Sequence, residues 1–272
     1  MFIVESAGIT DVGRKRKNNE DSLFLDGDQN LYVVADGMGG HQAGEVASRL
    51  VIETIRDYMK RYKKGESVEE FGEIDETLSV DANRLLASIK LANKTVYQLS
   101  KSRDAYRGMG STVSAVLFGQ DTVIISNVGD SPMYLVHKDE IELISEPHTV
   151  MAEQAAIDPD GANNLSERYK HMLTRGMGIE ETVVPHICEI QCFKGDIIVF
   201  SSDGLTDKVS AEEILKVVRN ESSRKACRIL VDLANSRGGD DNITIIIVRV
   251  KDVKKKKSFF YKLLSKIFKI DN

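Results

Sequence analysis

One pattern constrains this 272-residue chain more than any other: short apolar runs that stop at, or start from, an acidic residue among small ones. Its clearest instance is LYVVADGMGGHQAGEVAS, residues 31–48. Leu31 to Ala35 reads as a short buried strand and Asp36 follows it. Gly37, Gly39, Gly40 and Gly44 then leave the backbone bare and free to take positive φ before a helix begins. A bare backbone lets an ion or a phosphate approach closely. Taken alone, Asp-Gly after a strand is also an ordinary turn. The pattern returns, however, at TVIISNVGDS with Asp130 and at DIIVFSSDG with Asp203. It is inverted in GGDDNITIIIVRV, where Asp241 precedes the strand, and in NNEDSLFLD, where Glu20 and Asp21 precede Leu23, Phe24 and Leu25.

If the inverted strands run antiparallel to the others, these carboxylates crowd one edge of an antiparallel sheet. Like charges held that close repel and raise one another's pKa, so a folded protein keeps them only with cations between them. The donors are all oxygens, from carboxylates, a glycine carbonyl and water, which selects hard divalent ions. Several other chemistries lack their residues: there is no GxxxxGK[ST] loop, no GxSxG elbow and no HExxH pair. An aspartyl-phosphate mechanism would want a second acid two residues after Asp36, and Met38 stands there. Two-metal hydrolysis fits better, because ions ~4 Å apart share a water and lower its pKa toward ~7, giving a hydroxide for in-line attack on phosphorus.

At 42% hydrophobic and 29% charged residues the chain suits one large domain, and a formal charge of -5 argues against nucleic acid as its main partner. The N-terminus MFIVESAGITD has no basic start followed by an apolar stretch, and no run approaches the ~20 apolar residues of a membrane span, so a cytosolic protein is expected. Cys188, Cys192 and Cys227 are odd in number without a CxxC pair and read as reduced small side chains.

Along the chain, residues 2–9 and 22–26 read as strands joined by the basic loop GRKRKNN, either a solvated turn or a cationic rim that would hold phosphate in the planar fork of an arginine. Ala47, Leu50, Val51, Thr54, Ile55 and Tyr58 predict an amphipathic helix to about residue 62. Ala82, Leu85, Leu86, Ile89, Val96 and Leu99 predict a second. Strands follow to residue 144. Residues 145–182 lose periodicity apart from a short helical piece, as lids and binding loops do. Within them Asp158, Asp160 and Gly161 match part of a calcium loop but lack its closing glutamate. Strands at 186–192 and 196–202, helices near 211–219 and 223–236, and a strand at 242–250 close the domain. Hairpin-like turns with acids at strand ends and strand starts favour antiparallel sheets buried between helical layers, an α+β fold.

TDVGRKRKNNEDS, DGMGGHQAGE, GSTVSAVLF, NVGDS, LTRGMG, SSDGLTD and GGDDNIT occur in the order and approximate spacing of the metal-dependent protein phosphatases. The chain resembles these PPM or type 2C serine/threonine phosphatases over roughly residues 5–250, and its DGMGGH form resembles the bacterial branch. The resemblance implies an α-β-β-α architecture, a central antiparallel β-sandwich flanked by helices on both faces, with 145–182 as the variable flap of a domain spanning 1–250. It implies Mn2+ or Mg2+ as cofactor, two ions and a weaker third. Asp36 and the Gly37 carbonyl would bridge the central pair, Asp203 and Asp241 would bind directly, Glu20 and Asp21 mostly through water, and Asp130 with Asp203 would hold the third ion. It selects Arg16 over Arg14 as the phosphate-binding arginine, three residues before the Glu-Asp pair. Many eukaryotic members carry histidine where this chain has Met38, which leaves His41 or a metal-bound water as the candidate general acid. Pro132 replaces a frequent arginine. The implied partners are phosphorylated proteins and an opposing serine/threonine kinase, the implied state is a monomer, and the alternative is a phosphatase-like adaptor without turnover.

The resemblance does not cover the tail, 251–272. Lys254 to Lys257 form a basic block, then Phe260, Leu263, Leu264, Ile267 and Phe268 fall at helical spacing with Lys262, Lys266 and Lys269 on the other flank. A cationic amphipathic helix of this kind suits the inner membrane face, a partner protein or its own domain.

Overall fold

The computed structural model describes residues 1–39, 43–68, 71–159, 169 and 171–254. His41, Asp160, Gly161 and the tail from residue 255 therefore lie outside the described residues. The strands are β1 (Phe2–Asp11), β2 (Asp21–Asp26), β3 (Leu31–Met38), β4 (Gly110–Ser111), β5 (Val113–Phe118), β6 (Val123–Val128), β7 (Met133–His137), β8 (Glu140–Leu143), β9 (His186–Ile190), β10 (Ile197–Ser201) and β11 (Ile243–Val253). The helices are α1 (Ala43–Lys63), α2 (Val80–Ser102), α3 (Val150–Ile157), the single turn α4 (Asp203–Thr206), α5 (Ala211–Asn220) and α6 (Ser223–Ser236).

Every strand pairing is antiparallel. One sheet runs β1-β11-β10-β7-β8 and the other β2-β3-β5-β6-β9, with β4 added to the end of β3. The two-residue period of a strand divides β3 between two cores. Leu31, Val33 and Ala35 pack with Ala47, Val51 and Ile55 of α1 and Leu85 and Ile89 of α2, while Tyr32 and Val34 face Ile198 and Phe200 of the other sheet. On that sheet's far side Val199, Ile245 and Ile247 pack with Ile214, Val218 and Leu230 of α5 and α6. Strands covered on both faces read as unbroken apolar runs, which is why β6 and β10 are buried at every residue. This is the α-β-β-α sandwich that the resemblance implies, built from the antiparallel sheets between helical layers that the acids and turns favour. Among the described residues no helix is long and apolar enough to cross a membrane.

Three expectations need correction. The strand predicted to stop before Asp36 continues to Met38, because Gly37 and Met38 pair with Ser111 and Gly110. Asp203 opens a helical turn that the sequence pattern did not show. The acids also do not share one sheet edge: Asp21 and Asp36 belong to one sheet, and Asp203 and Asp241 adjoin the other. Asp130 sits on the β6–β7 crossover between the sheets.

Nor is the segment 145–182 loose throughout. Its helix α3 is capped by Thr149 Oγ1, which accepts from the Ala152 N–H. Its last residues are pinned to the core: Met177 is fully buried and bridges to Ser111, and Asn93 of α2 accepts from Gly178 N–H while donating to the Glu180 and Glu181 carbonyls.

Candidate metal centre

The register of β2 on β3 sets Asp21 directly opposite Asp36. The backbone around Asp36 is spent on its neighbours: its N–H donates to Thr112 Oγ1 at 3.0 Å, and its carbonyl accepts from Thr112 N–H and Ser111 Oγ. Asp21 is 6% exposed. Its Oδ2 accepts from Ser202 Oγ at 2.8 Å, and its buried Oδ1 has no hydrogen-bond partner. A buried carboxylate oxygen with no donor is costly, and a cation is the partner that its chemistry lacks.

Two close approaches require glycine. A Cβ on Gly37 would lie 2.1 Å from the Gly44 carbonyl oxygen, so the strand end packs on the first turn of α1. A Cβ on Gly204 would lie 2.0 Å from the Asn242 carbonyl oxygen, which lets α4 carry Asp203 up to the Asp241 loop. In the 31–48 stretch the positive φ expected of the glycines occurs, among the described residues, only at Gly39.

Asn242 ties the basic loop to this loop. Its side chain accepts from Glu20 N–H at 2.8 Å and donates to the Val12 and Asn18 carbonyls at 3.0 Å each. That anchorage sets the direction of residues 13–17. Arg16 Nη2 donates to Asp241 Oδ2 at 2.6 Å, whereas the Arg14 backbone N–H donates to Gly239. Arg16 thus stands over the acids at the rim, with its side chain 53% exposed.

Electrostatics confirms the convergence. Burial pushes the Asp36 carboxyl well above the usual range, and Asp21, Asp203, Asp241 and Asp130 push it further. Burial raises Asp21 to about 6 against the hydrogen bond from Ser202, and raises Asp130 to about 6 with help from Asp203. Glu20 is also raised, by burial, with the Arg16 charge opposing.

A cleft of about 410 Å³ opens on this cluster, lined by Asp36, Asp130 and Asp203 with Met38, Thr112 and Arg175 among its walls. From the segment after α3 His171 reaches in: its Nδ1 lies 3.4 Å from Asp203 Oδ2 and its Nε2 lies 3.5 Å from Asp207 Oδ2. Arg175 lies beside the buried His148, with Nη1 3.0 Å from Nε2, and near Glu146 and Glu153.

Eight of the nine predicted site positions are therefore gathered at this end of the sandwich: Arg16, Glu20, Asp21, Asp36, Gly37, Asp130, Asp203 and Asp241. The ninth, His41, is outside the described residues. Pro132, at the frequent arginine position, has its carbonyl accept from Ser201 N–H. Sequence reasoning passed over His171, Asp207, Arg175 and Asn242. Asp207, Arg175 and Asn242 close the motifs SSDGLTD, LTRGMG and GGDDNIT or stand within them, so the signal was present but unassigned. His171 lies in a segment without periodicity and had no signal.

An acid-lined cleft with an arginine at its rim is the apparatus of a divalent-metal phosphohydrolase. The protein phosphatase 2C family model matches residues 13–236, and the chain belongs to that family. The serine/threonine phosphatase stp of Listeria innocua is 35% identical over 248 residues, covering 88% of this chain and 93% of its own. The crystal structure of the Mycobacterium tuberculosis serine/threonine phosphatase PstP/Ppp matches with a TM-score of 0.78 at 29% identity, covering 91% of this chain and 99% of that one. The PstP catalytic domain in complex with two manganese ions matches with a TM-score of 0.75 at 29% identity, covering 93% of this chain and all of that one.

The raised acids predict an unusual pH dependence for metal-free protein. Between about pH 4 and 6 the folded state holds protons on Asp21 and Asp130 that the unfolded chain has released, so their contribution to stability is lost as pH rises, and the raised Asp36 acts in the same sense. His148, pushed down to about 4 by burial and by Arg175, acts in the opposite sense, one group against the raised acids of the cluster. In excess chelator the thermal midpoint should fall from pH 5 to pH 7, and saturating Mn2+ should abolish the fall. A midpoint that rises over this range in chelator would contradict the carboxylate cluster as described.

Proposed function

We propose that the cluster holds two Mn2+ or Mg2+ ions and that the protein is a metal-dependent serine/threonine protein phosphatase, hydrolysing phosphomonoesters on phosphoproteins by direct attack of water. The observation that carries this reading is the buried, unpartnered Asp21 Oδ1 beside an Asp36 ringed by four other acids. The donors fit such ions, since all are oxygens. Asp36, the Gly37 carbonyl, Asp203 and Asp241 would bind directly, Glu20 and Asp21 chiefly through water, and Asp130 with Asp203 would hold a third ion. When bound, the pair lowers the pKa of a shared water toward ~7 and offsets phosphate charge.

The chain's own groups do the rest. Arg16 supplies a guanidinium fork at the mouth of the cluster, the geometry that binds two phosphate oxygens at once. Met38 and Ile179 add apolar surface to the lining of the cleft that opens on the acids. The adaptor alternative is not favoured, because a binding protein without turnover has no use for the full set of direct carboxylates. Partners in this reading are phosphorylated proteins and an opposing kinase.

Steady-state kinetics on a phosphopeptide with Mn2+ tests the assignment. Asp203→Asn and Asp241→Asn should each lower kcat by roughly 100- to 1000-fold with the fold intact by circular dichroism. Arg16→Ala should lower kcat/KM by about 10- to 150-fold, the equivalent of roughly 1.5–3 kcal/mol for a charge-assisted contact. Full activity in either Asn variant overturns the metal assignment, and a larger loss in Arg14→Ala than in Arg16→Ala overturns the choice of arginine.

The tail offers a separate contact. We propose that the basic amphipathic segment 254–270 binds anionic membrane surface, motivated by its lysine block and apolar stripe. The full chain should co-sediment with vesicles rich in anionic lipid at low salt, and a chain truncated after Val250 should not. Failure of the full chain to bind would end the membrane reading.

A further inference from the structure

His171 carries no role in the reading above, yet the flap delivers it to the cleft wall beside two carboxylates. One donor atom from each of Asp130, His171 and Asp203 can be chosen so that all lie within 4.8 Å of one another. Donors held at ~2.0–2.2 Å from one ion are at most about 4.4 Å apart, so shifts of tenths of an ångström close the set. The ring is also oriented from behind. Nδ1 faces Asp203 at 3.4 Å, and Nε2 faces the Asp207 carboxylate at 3.5 Å. A carboxylate on the far nitrogen is how proteins fix the tautomer and direction of a ligating histidine.

We propose that the third metal site is a mixed nitrogen–oxygen site in which His171 Nδ1 joins the carboxylates of Asp130 and Asp203, with Asp207 as the positioning residue. The proposal rests on the phosphatase reading but adds a ligand from the flap. Two consequences follow from the chemistry. Imidazole suits transition metals and is a poor ligand for Mg2+, so this site discriminates between Mn2+ and Mg2+ where the oxygen-only pair does not. The ion also becomes a clasp, because His171 belongs to the flap, Asp130 to the β6–β7 crossover and Asp203 to α4. Binding there couples metal occupancy to the position of the flap wall that a phosphopeptide must pass.

The test is Mn2+ binding to the full chain, read by calorimetry and by pulsed electron paramagnetic resonance, with 14N modulation reporting a coordinated imidazole. Wild type should bind a third, weaker Mn2+ that brings the 14N signal, and Mg2+ should fail to displace it at concentrations that displace the first two. His171→Ala should weaken the third ion by at least about tenfold and abolish the 14N signal while the first two stay unchanged. Asp207→Ala should weaken it by about 10- to 100-fold and keep the signal. Hydrogen exchange at residues 171–176 should slow on adding Mn2+ in wild type and not in His171→Ala. A wild-type protein that binds two Mn2+ and no third, or a third with no imidazole signal, overturns the proposal and leaves the phosphatase reading standing. No Mn2+ binding at all overturns both.

Discussion

Carboxylates crowded together at one partly buried site are the constraint on which the rest of this structure depends. The β2–β3 register forces Asp21 against Asp36, and the second sheet brings Asp203 and Asp241 to the same place. Repulsion among them is built into the fold by hydrogen bonds: Thr112 and Ser111 hold the Asp36 backbone, and Ser202 Oγ holds the Asp21 carboxylate. Such an arrangement persists only because protons or cations relieve it. The cost of assembling the acids is met by the two apolar layers that flank the sandwich and the third between its sheets.

The same geometry explains why a phosphate monoester is a suitable substrate. A dianion would be repelled by bare carboxylates, so the cleft accepts it only when cations outnumber the free acids. Arg16 is the one cationic group of the basic loop that hydrogen-bonds into the cluster among the described residues, and Asn242 is what aims the loop there. The basic loop thereby leans on one neighbouring loop, residues 238–242, which carries Asp241 and whose Gly239 carbonyl also receives the Arg14 and Lys15 N–H groups.

Much of this was legible in the sequence for physical reasons. Runs such as Val123–Val128 and Ile197–Ser201 are buried on both faces and announce themselves as strands, and acids at their ends have little use other than chemistry. Helices α1 and α2 were legible from their stripes. What the sequence could not show is which sheet each acid joins, because register is set by long-range pairing such as Ile245 with Ser201. The continuation of β3 through Gly37 depends on Ser111, 74 positions away. His171 was invisible because an aperiodic segment gives no hint of where its side chains end up, and its partners Asp203 and Asp207 open and cap a helical turn too short to leave a pattern. The glycines were read correctly as necessary but for the wrong reason at Gly37, where proximity to Gly44 and Glu20, not a positive φ, excludes a side chain.

The central claim is that metal ions replace protons among these acids, and proton release measures that exchange directly. Calorimetric titration with Mn2+ in buffers of different ionisation enthalpy gives the number of protons displaced per ion bound. With Asp21 and Asp130 raised to about 6 and burial also pushing Asp36 well above the usual carboxylate range, binding at pH 6 should release protons, and the number should decline as pH rises toward 8. Mn2+ binding at pH 6 with no proton release would show that the carboxylates are already ionised without metal, and would contradict the account.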